Sequence, residues 1–302
     1  MFTLLIALTL SVTAPDSTAA GSQKPLFSFG VVTDVHYSNR KEPSANRYYR
    51  DSKRKLAEAV AAFNAAHVDF IVSLGDLIDN DIESYADIAP VLAAAEAPVH
   101  KIAGNHDFPA PFDAQRQQAA FRTMGLAEPY FSLVRDGCRL LFLDANDVAV
   151  YAHAEGTPSR AEAEAALARL TDEGAANARR YNGAPGTVQL TWLVRELKAA
   201  EAAGERVVAL CHTPVLPLLG RYTLWNNLEI AAMLSEYPCV RAFLAGHHHT
   251  GGYGVYRGVH HLTFLGMVEG PENKFAIVEV YPDKLVVRGF GTEEHRTLPD
   301  LR

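Results

Sequence analysis

The sequence predicts an α/β fold on three observations. Short apolar runs of strand length alternate with longer stretches of helical period. Five of those runs end directly at a segment carrying Asp, Asn or His. Apolar residues make up 48% of the 302 residues and charged residues 21%, the balance of a globular chain.

The first run, Phe27 to Thr33, stops at Asp34 and is predicted as a strand. Leu56, Ala59, Val60 and Phe63 then recur at helical spacing, within a helix from about Tyr48 to His67. Phe70 to Leu74 is a second buried strand, ending in Gly75-Asp76. A helix over about Ser84 to Ala95 and a strand from Val99 to Ala103 follow, so βαβ units are expected. Tyr130 to Val134 and Arg139 to Leu143 read as strands, and Ser159 with Glu162 reads as a capping box opening a helix at Pro158. Leu190, Leu193, Val194 and Leu197 mark a further amphipathic helix. Arg206 to Leu210 and Val240 to Leu244 are two more buried strands, and Phe275 to Tyr281 with Lys284 to Val287 form a closing hairpin across Pro282-Asp283.

The formal net charge is −7, which excludes a general nucleic-acid binder with a basic face. An anionic small substrate stays open, because a bound cation reverses the local charge. Residues 1–20 differ from the rest: Leu4 to Leu10 is apolar and Thr18-Ala19-Ala20 offers a small-residue cleavage site. They predict a signal peptide and export to the periplasm or exterior, although the first Lys is only Lys24; a cytoplasmic location is the alternative. No later stretch approaches about 18 unbroken apolar residues, so no stable membrane span is expected. Cys138, Cys211 and Cys239 match neither a disulfide framework nor a zinc ribbon and read as small buried thiols.

The chemistry sits in five segments: Asp34-Val35-His36, Gly75-Asp76, Gly104-Asn105-His106-Asp107, His212 and Gly246-His247-His248-His249. Each follows a strand, and in α/β sheets ligand sites gather beyond the carboxyl ends of strands. Imidazole with carboxylate or amide oxygen suits manganese, iron or zinc. Asp76 can offer one oxygen to each of two ions, and Asn105 adds a neutral oxygen that limits the negative charge. Two ions about 3.5–4 Å apart clamp the attacking and leaving oxygens of an in-line displacement and activate a bridging water. His106 lies beside such a site and could stabilise charge on phosphorus or protonate the leaving oxygen, with Asp107 orienting it.

Together these segments resemble the calcineurin-like metallophosphoesterase superfamily, through most of the chain after residue 24. The resemblance implies a four-layer α/β/β/α sandwich of two mixed β-sheets flanked by helices. It implies one metal site of Asp34, His36, Asp76 and His249 and another of Asp76, Asn105, His212 and His247. His248 stands at the variable position of Gly-His-x-His and is not expected to ligate. Because the motifs must converge, residues 24–302 are expected to form one domain.

A narrower resemblance runs through Phe27-Ser28-Phe29-Gly30, Arg47-Tyr48-Tyr49-Arg50, Tyr181-Asn182-Gly183, Trp225-Asn226, Gly251-Gly252-Tyr253 and Tyr281-Pro282-Asp283-Lys284. These segments are similar to the manganese-dependent ADP-ribose/CDP-alcohol diphosphatase branch, which implies hydrolysis of a nucleotide-like diphosphate by a metal-bridging hydroxide. His36 stands where that branch carries Gln, and Asp107 where it carries Glu. A broad phosphomonoesterase, a cyclic-nucleotide phosphodiesterase and a non-catalytic scaffold on the same fold are the alternatives.

Arg47 and Arg50, near the start of the first helix, are candidates to contact phosphate, with a surface or packing role the competing reading. Tyr37, Phe108, Trp225 and Tyr253 are candidates to stack on a base, against simple packing. His67, His100, His153, His260, His261 and His295 fit no motif, and nothing requires Asp144 or Asp147 at the site. The expected partner is a small phosphorylated molecule; the sequence assigns no oligomeric state.

Overall fold

The computed structural model describes residues 24–302 apart from 45, 110–112 and 127; the segment read as a signal peptide lies outside the described residues. Strands β1 (Phe27–Val32), β2 (Phe70–Ser73) and β3 (Val99–Lys101) alternate with helices α1 (Ser52–Ala66) and α2 (Tyr85–Ala93). Helix α3 (Ala114–Met124), the pair β4 (Phe131–Arg135) and β5 (Cys138–Leu143), α4 (Pro158–Asp172) and α5 (Thr187–Ala203) follow. Then come β6 (Arg206–Cys211), α6 (Asn227–Glu236), β7 (Val240–Ala245), β8 (Thr250–Tyr256) and β9 (Val259–Leu265). The chain closes with β10 (Lys274–Val280), β11 (Lys284–Gly291) and β12 (Arg296–Pro299).

The strands form two six-stranded sheets, in the orders β12-β11-β10-β1-β2-β3 and β4-β5-β6-β7-β9-β8. Both are mixed. β1, β2 and β3 run parallel, as do β5, β6, β7 and β9; the antiparallel pairs form the β12-to-β1 half of the first sheet and both edges of the second. Strands covered on both faces need apolar residues on both, which is why the inner ones read as unbroken apolar runs. Thus Leu140 and Phe142 of β5 meet Phe29 and Phe70 of the first sheet between the layers, while Leu141 and Leu143 meet Leu193 and Leu197 of α5 outside. On the far side Leu56 and Phe63 of α1 and Ile88 of α2 cover Val32 and Ile71. The result is the four-layer α/β/β/α sandwich. No described helix is long and apolar enough to cross a membrane.

Local differences from the sequence reading have local causes. Helix α1 begins at Ser52 rather than near Tyr48, because residues 47 and 48 pair instead with the turn after β9: Arg47 bridges Glu269 and the Tyr48 N–H donates to Val268 O. Its last carbonyls are met by the backbone of His67, which turns left-handed at φ 51°. Helix α4 is capped by Thr157, whose hydroxyl accepts from the Arg160 N–H, so the expected box on Ser159 falls inside the first turn. Cys138 and Cys211 are buried in strands, whereas Cys239 is half-buried just before β7. Helices α3 and α6 and strands β8, β9 and β12 were not anticipated.

Candidate metal centre

The loops leaving β1, β2 and β3 in one sheet and β6 and β7 in the other meet at one rim of the sandwich. Four of the predicted ligand residues there hold a backbone that L-residues seldom adopt: Asp34, His36, Asp76 and His247 have φ between 45° and 65°. Such strain, about 1–3 kcal/mol per residue, persists only where surroundings enforce it and concentrates at functional sites. Two glycines permit the crowding. A Cβ on Gly104 would stand 2.1 Å from Asp76 Oδ1, and one on Gly246 would stand 1.9 Å from Thr33 Oγ1.

Asp34, His36, Asp76 and His249 converge first. His36 Nε2 lies 3.1 Å from His249 Nε2, 3.2 Å from Asp76 Oδ2 and 3.7 Å from Asp34 Oδ1, and His249 Nε2 lies 3.3 Å from Asp34 Oδ1. The opposite ring nitrogens are anchored on carboxylates: His36 Nδ1 is 3.1 Å from Asp79 Oδ1, and His249 Nδ1 is 2.7 Å from Glu269 Oε1. Such outer hydrogen bonds fix the tautomer and tilt of a ligating imidazole.

Asp76, Asn105, His212 and His247 form the second set. His212 Nε2 is 3.3 Å from Asp76 Oδ2, 3.2 Å from Asn105 Oδ1 and 3.2 Å from His247 Nδ1. Here the outer partners are neutral, with His212 Nδ1 donating to Leu74 O at 2.8 Å and His247 Nε2 to Asn182 Oδ1 at 2.9 Å. One sequence expectation is corrected. Asp76 does not divide its oxygens between the sets: Oδ2 faces both, while Oδ1 accepts the His106 N–H at 2.7 Å.

The donor atoms fit a pair of metal ions. Bonds of about 2.0–2.2 Å at tetrahedral or octahedral angles place neighbouring ligand atoms about 2.8–3.6 Å apart. All but one of the spacings between the ligand atoms themselves fall in that window. The electrostatics agree. Burial would raise the Asp34 and Asp76 carboxyls, yet the charges of His249 on the first and of His212 and His36 on the second hold both well below the usual carboxylate range. Burial would lower His36 and His212, yet the Asp76 carboxylate pushes His36 well up and His212 to about 9. Buried lone pairs aimed at one another in this way need cations between them, either protons or metals.

His106 sits edge-on to His36, ring centroids 4.5 Å apart. Asp107 does not orient it. The Asp107 carboxylate is taken up by four backbone N–H groups, of Asp76, Leu77, Ile78 and Gly104, and so ties the β2 loop to the β3 loop. Burial and the Asp76 charge raise its pKa to about 7. The side chain that meets His106 is Asp79, with Nδ1 2.5 Å from Oδ1 and off the line of a hydrogen bond. Asp79 Oδ2 is paired with Lys41, so one carboxylate serves His36, His106 and a lysine.

The centre opens into two grooves. One, of about 450 Å³, is lined by Asn105, His106, Tyr151, Arg180 and Tyr181. The other, of about 530 Å³, is lined by Arg47, Tyr222, His247, His249, Glu269 and Lys274. Arg47 thus reaches the rim, held by Glu269 Oε1 at 3.2 Å. Arg50 does not, being spent on Glu42 and the Asn39 carbonyl at the surface. Tyr37, Phe108 and Trp225 are buried in apolar clusters, which leaves no ring face for a base. Tyr253 lies out on β8 under Arg296, beside a cavity of about 20 Å³, room for one water. His248 does not join either ligand set and stacks on Tyr222.

Sequence reasoning missed Asp79, Asn182, Tyr222 and Glu269. Asp79 could have been found as a carboxylate three residues past a strand-end Asp, and Asn182 lies in a segment already singled out. Nothing around Glu269 signalled its role.

Comparison with known proteins places this geometry. The sequence profile of the calcineurin-like phosphoesterase family matches residues 27–251. A manganese-dependent ADP-ribose/CDP-alcohol diphosphatase of Oryza sativa is 31% identical over 309 residues, covering 89% of this chain and 93% of that one. The protein of the same name from Xenopus tropicalis is 29% identical, covering 91% and 95%. A crystal structure of a dimetal phosphatase from Danio rerio superimposes with a TM-score of 0.83 at 26% identity, covering 92% of this chain and all of that one.

Proposed function

The chain belongs to the calcineurin-like phosphoesterase family, and on that premise we propose that it is a dinuclear metal-dependent hydrolase of nucleotide-like diphosphates, of the ADP-ribose and CDP-alcohol type. The observation that carries the dinuclear reading is Asp76 Oδ2, which stands 3.2 Å from His36 Nε2 and 3.3 Å from His212 Nε2. The substrate class rests on relatives of that name that align along 89–91% of the chain. Asp34, His36, Asp76 and His249 would hold one divalent ion, and Asp76, Asn105, His212 and His247 the other. Manganese suits these donors, as do iron and zinc. When bound, the pair supplies Lewis acidity to phosphoryl oxygens and lowers the pKa of a water between them.

The rest of the chemistry falls to the chain. The His106 N–H on Asp76 Oδ1 fixes the plane of the shared carboxylate. Asp79 against Nδ1 stabilises the protonated His106 ring, which then holds an Nε2 proton for the leaving oxygen. Burial and the His36 charge keep the His106 pKa below the ordinary imidazole value, so the ring gives that proton up readily. Arg47 and Lys274 set positive charge in one groove, where a second phosphate can sit. The two grooves accommodate a substrate with a group on each side of its diphosphate.

A panel of ADP-ribose, CDP-choline, an aryl phosphate and a cyclic nucleotide, assayed with manganese, tests the reading. The expected result is preferred turnover of the two diphosphates. Cleavage of the aryl phosphate or the cyclic nucleotide alone would overturn the substrate class, and no metal-dependent hydrolysis of any would overturn the whole reading.

A further inference from the structure

Lys55 is a cation where the periodicity of α1 asks for an apolar side chain. It shares the buried stripe of Leu56, Ala59, Val60 and Phe63, and it is fully buried itself. Among the described residues no carboxylate lies within ion-pair distance of its Nζ. The ammonium donates instead to two main-chain carbonyls, Met267 O at 2.9 Å and Gly270 O at 2.5 Å, with the Tyr48 ring 5.6 Å away. A buried charge without a counter-charge is costly, and an apolar residue of similar volume would avoid that cost. Burial pulls its pKa down to about 8, which leaves it charged at neutral pH.

The two carbonyls bracket Glu269. That carboxylate accepts from His249 Nδ1 at 2.7 Å and from Arg47 Nε at 3.2 Å. The same turn is sewn to the centre by Met267 N–H on Thr33 O and Val268 N–H on Asp34 O, at 3.1 and 3.0 Å. Without the ammonium, two carbonyls lose their partner from α1, and toward the helix the turn keeps only the pairing of residues 46–48, through Gly270 N–H on Asn46 O, Tyr48 N–H on Val268 O and Arg47 on Glu269.

We propose that Lys55 is a positioning residue for the metal centre, its buried ammonium fixing the turn that aims Glu269 at His249. The inference rests on the reading of His249 as a ligand. It assigns the dependence to one set, that of Asp34, His36, Asp76 and His249. The other set, oriented by Leu74 O and Asn182, stands apart from Lys55.

Calorimetric titration of metal-stripped protein with manganese tests it without recourse to activity. Lys55→Met is expected to weaken one of two binding equivalents by about 10–100-fold, the usual effect of losing an outer-sphere partner, and to leave the other unchanged. Lys55→Gln, which can still donate to one carbonyl, is expected to fall between and serves if the Met variant does not fold. In a Glu269→Gln background Lys55→Met should add little. Wild-type affinities in Lys55→Gln and Lys55→Met, or equal weakening of both equivalents, would overturn the proposal. A His249→Ala variant that retains both wild-type affinities would instead overturn the ligand reading beneath it.

Discussion

The carboxylate of Asp107 accepts the backbone N–H of Asp76 at 2.8 Å, and it leaves His106, its neighbour in the chain, to Asp79. Asp107 is therefore a staple between two ligand loops. Asp107→Asn places an amide N–H where backbone donors converge. It is expected to cost about 1–3 kcal/mol of stability at pH 8, where the carboxylate is ionised. The pH–rate profile should keep its shape. Calorimetric melting and a pH–rate series check both, and a displaced limb would mean that Asp107 acts on His106 after all.

Because a single oxygen of Asp76 faces both ligand sets, Asp76→Ala should abolish binding of both ions together. Metal content after gel filtration reads this directly. Two ions retained per chain would refute the shared oxygen.

His106 touches the centre through its backbone, through Asp79 and edge-on against the His36 ring, while the hydrogen bond that orients His36 comes from Asp79. His106→Ala is expected to lower kcat by about 10²–10⁴-fold, the range for a lost general acid. Manganese stoichiometry by calorimetry should stay at the wild-type value. Loss of an ion would move His106 into the ligand set.

In metal-free protein His212 is pushed to about 9 and His36 moves the same way, against the pull of burial. A folded value above the unfolded one, about 6.5, contributes stability below about 6.5 that is lost as pH rises through the folded value. The melting temperature of metal-stripped protein should thus fall between about pH 6.5 and 9. Manganese loading at pH 7.5 should release protons, because ligating imidazoles are neutral. Titration in two buffers of different ionisation heat measures the release, and zero release would contradict the shifted histidines.

Much of this centre was legible because most of its ligands follow strands that are buried on both faces, where apolar runs stop abruptly. Asp34, Asp76, His212 and His247 mark four such stops, and Asn105 follows the half-buried edge strand β3. The outer ring was not legible. Glu269 and Asn182 act across 20 and 65 residues of chain, separations that no local pattern encodes. Lys55 did carry a signal, a charge on the buried stripe of a helix, which composition alone hides. Strand β9 was missed because His260 and His261 interrupt its apolar run, although both are buried, and β8 because three glycines blur its alternation. Helix α3 carries only Phe121 and Met124 as large apolar residues, too few to mark its inner face, and β12 is a four-residue edge.

The donors come from both layers: Asp34, Asp76 and Asn105 leave one sheet, His212 and His247 the other. A cation seated among them acts as a rivet through the seam. Prising the layers apart and releasing the cation then become one event, so tight loading should slow amide exchange at the ends of β1 and β7 alike. A catalytic centre of this kind doubles as the clasp of the domain that carries it.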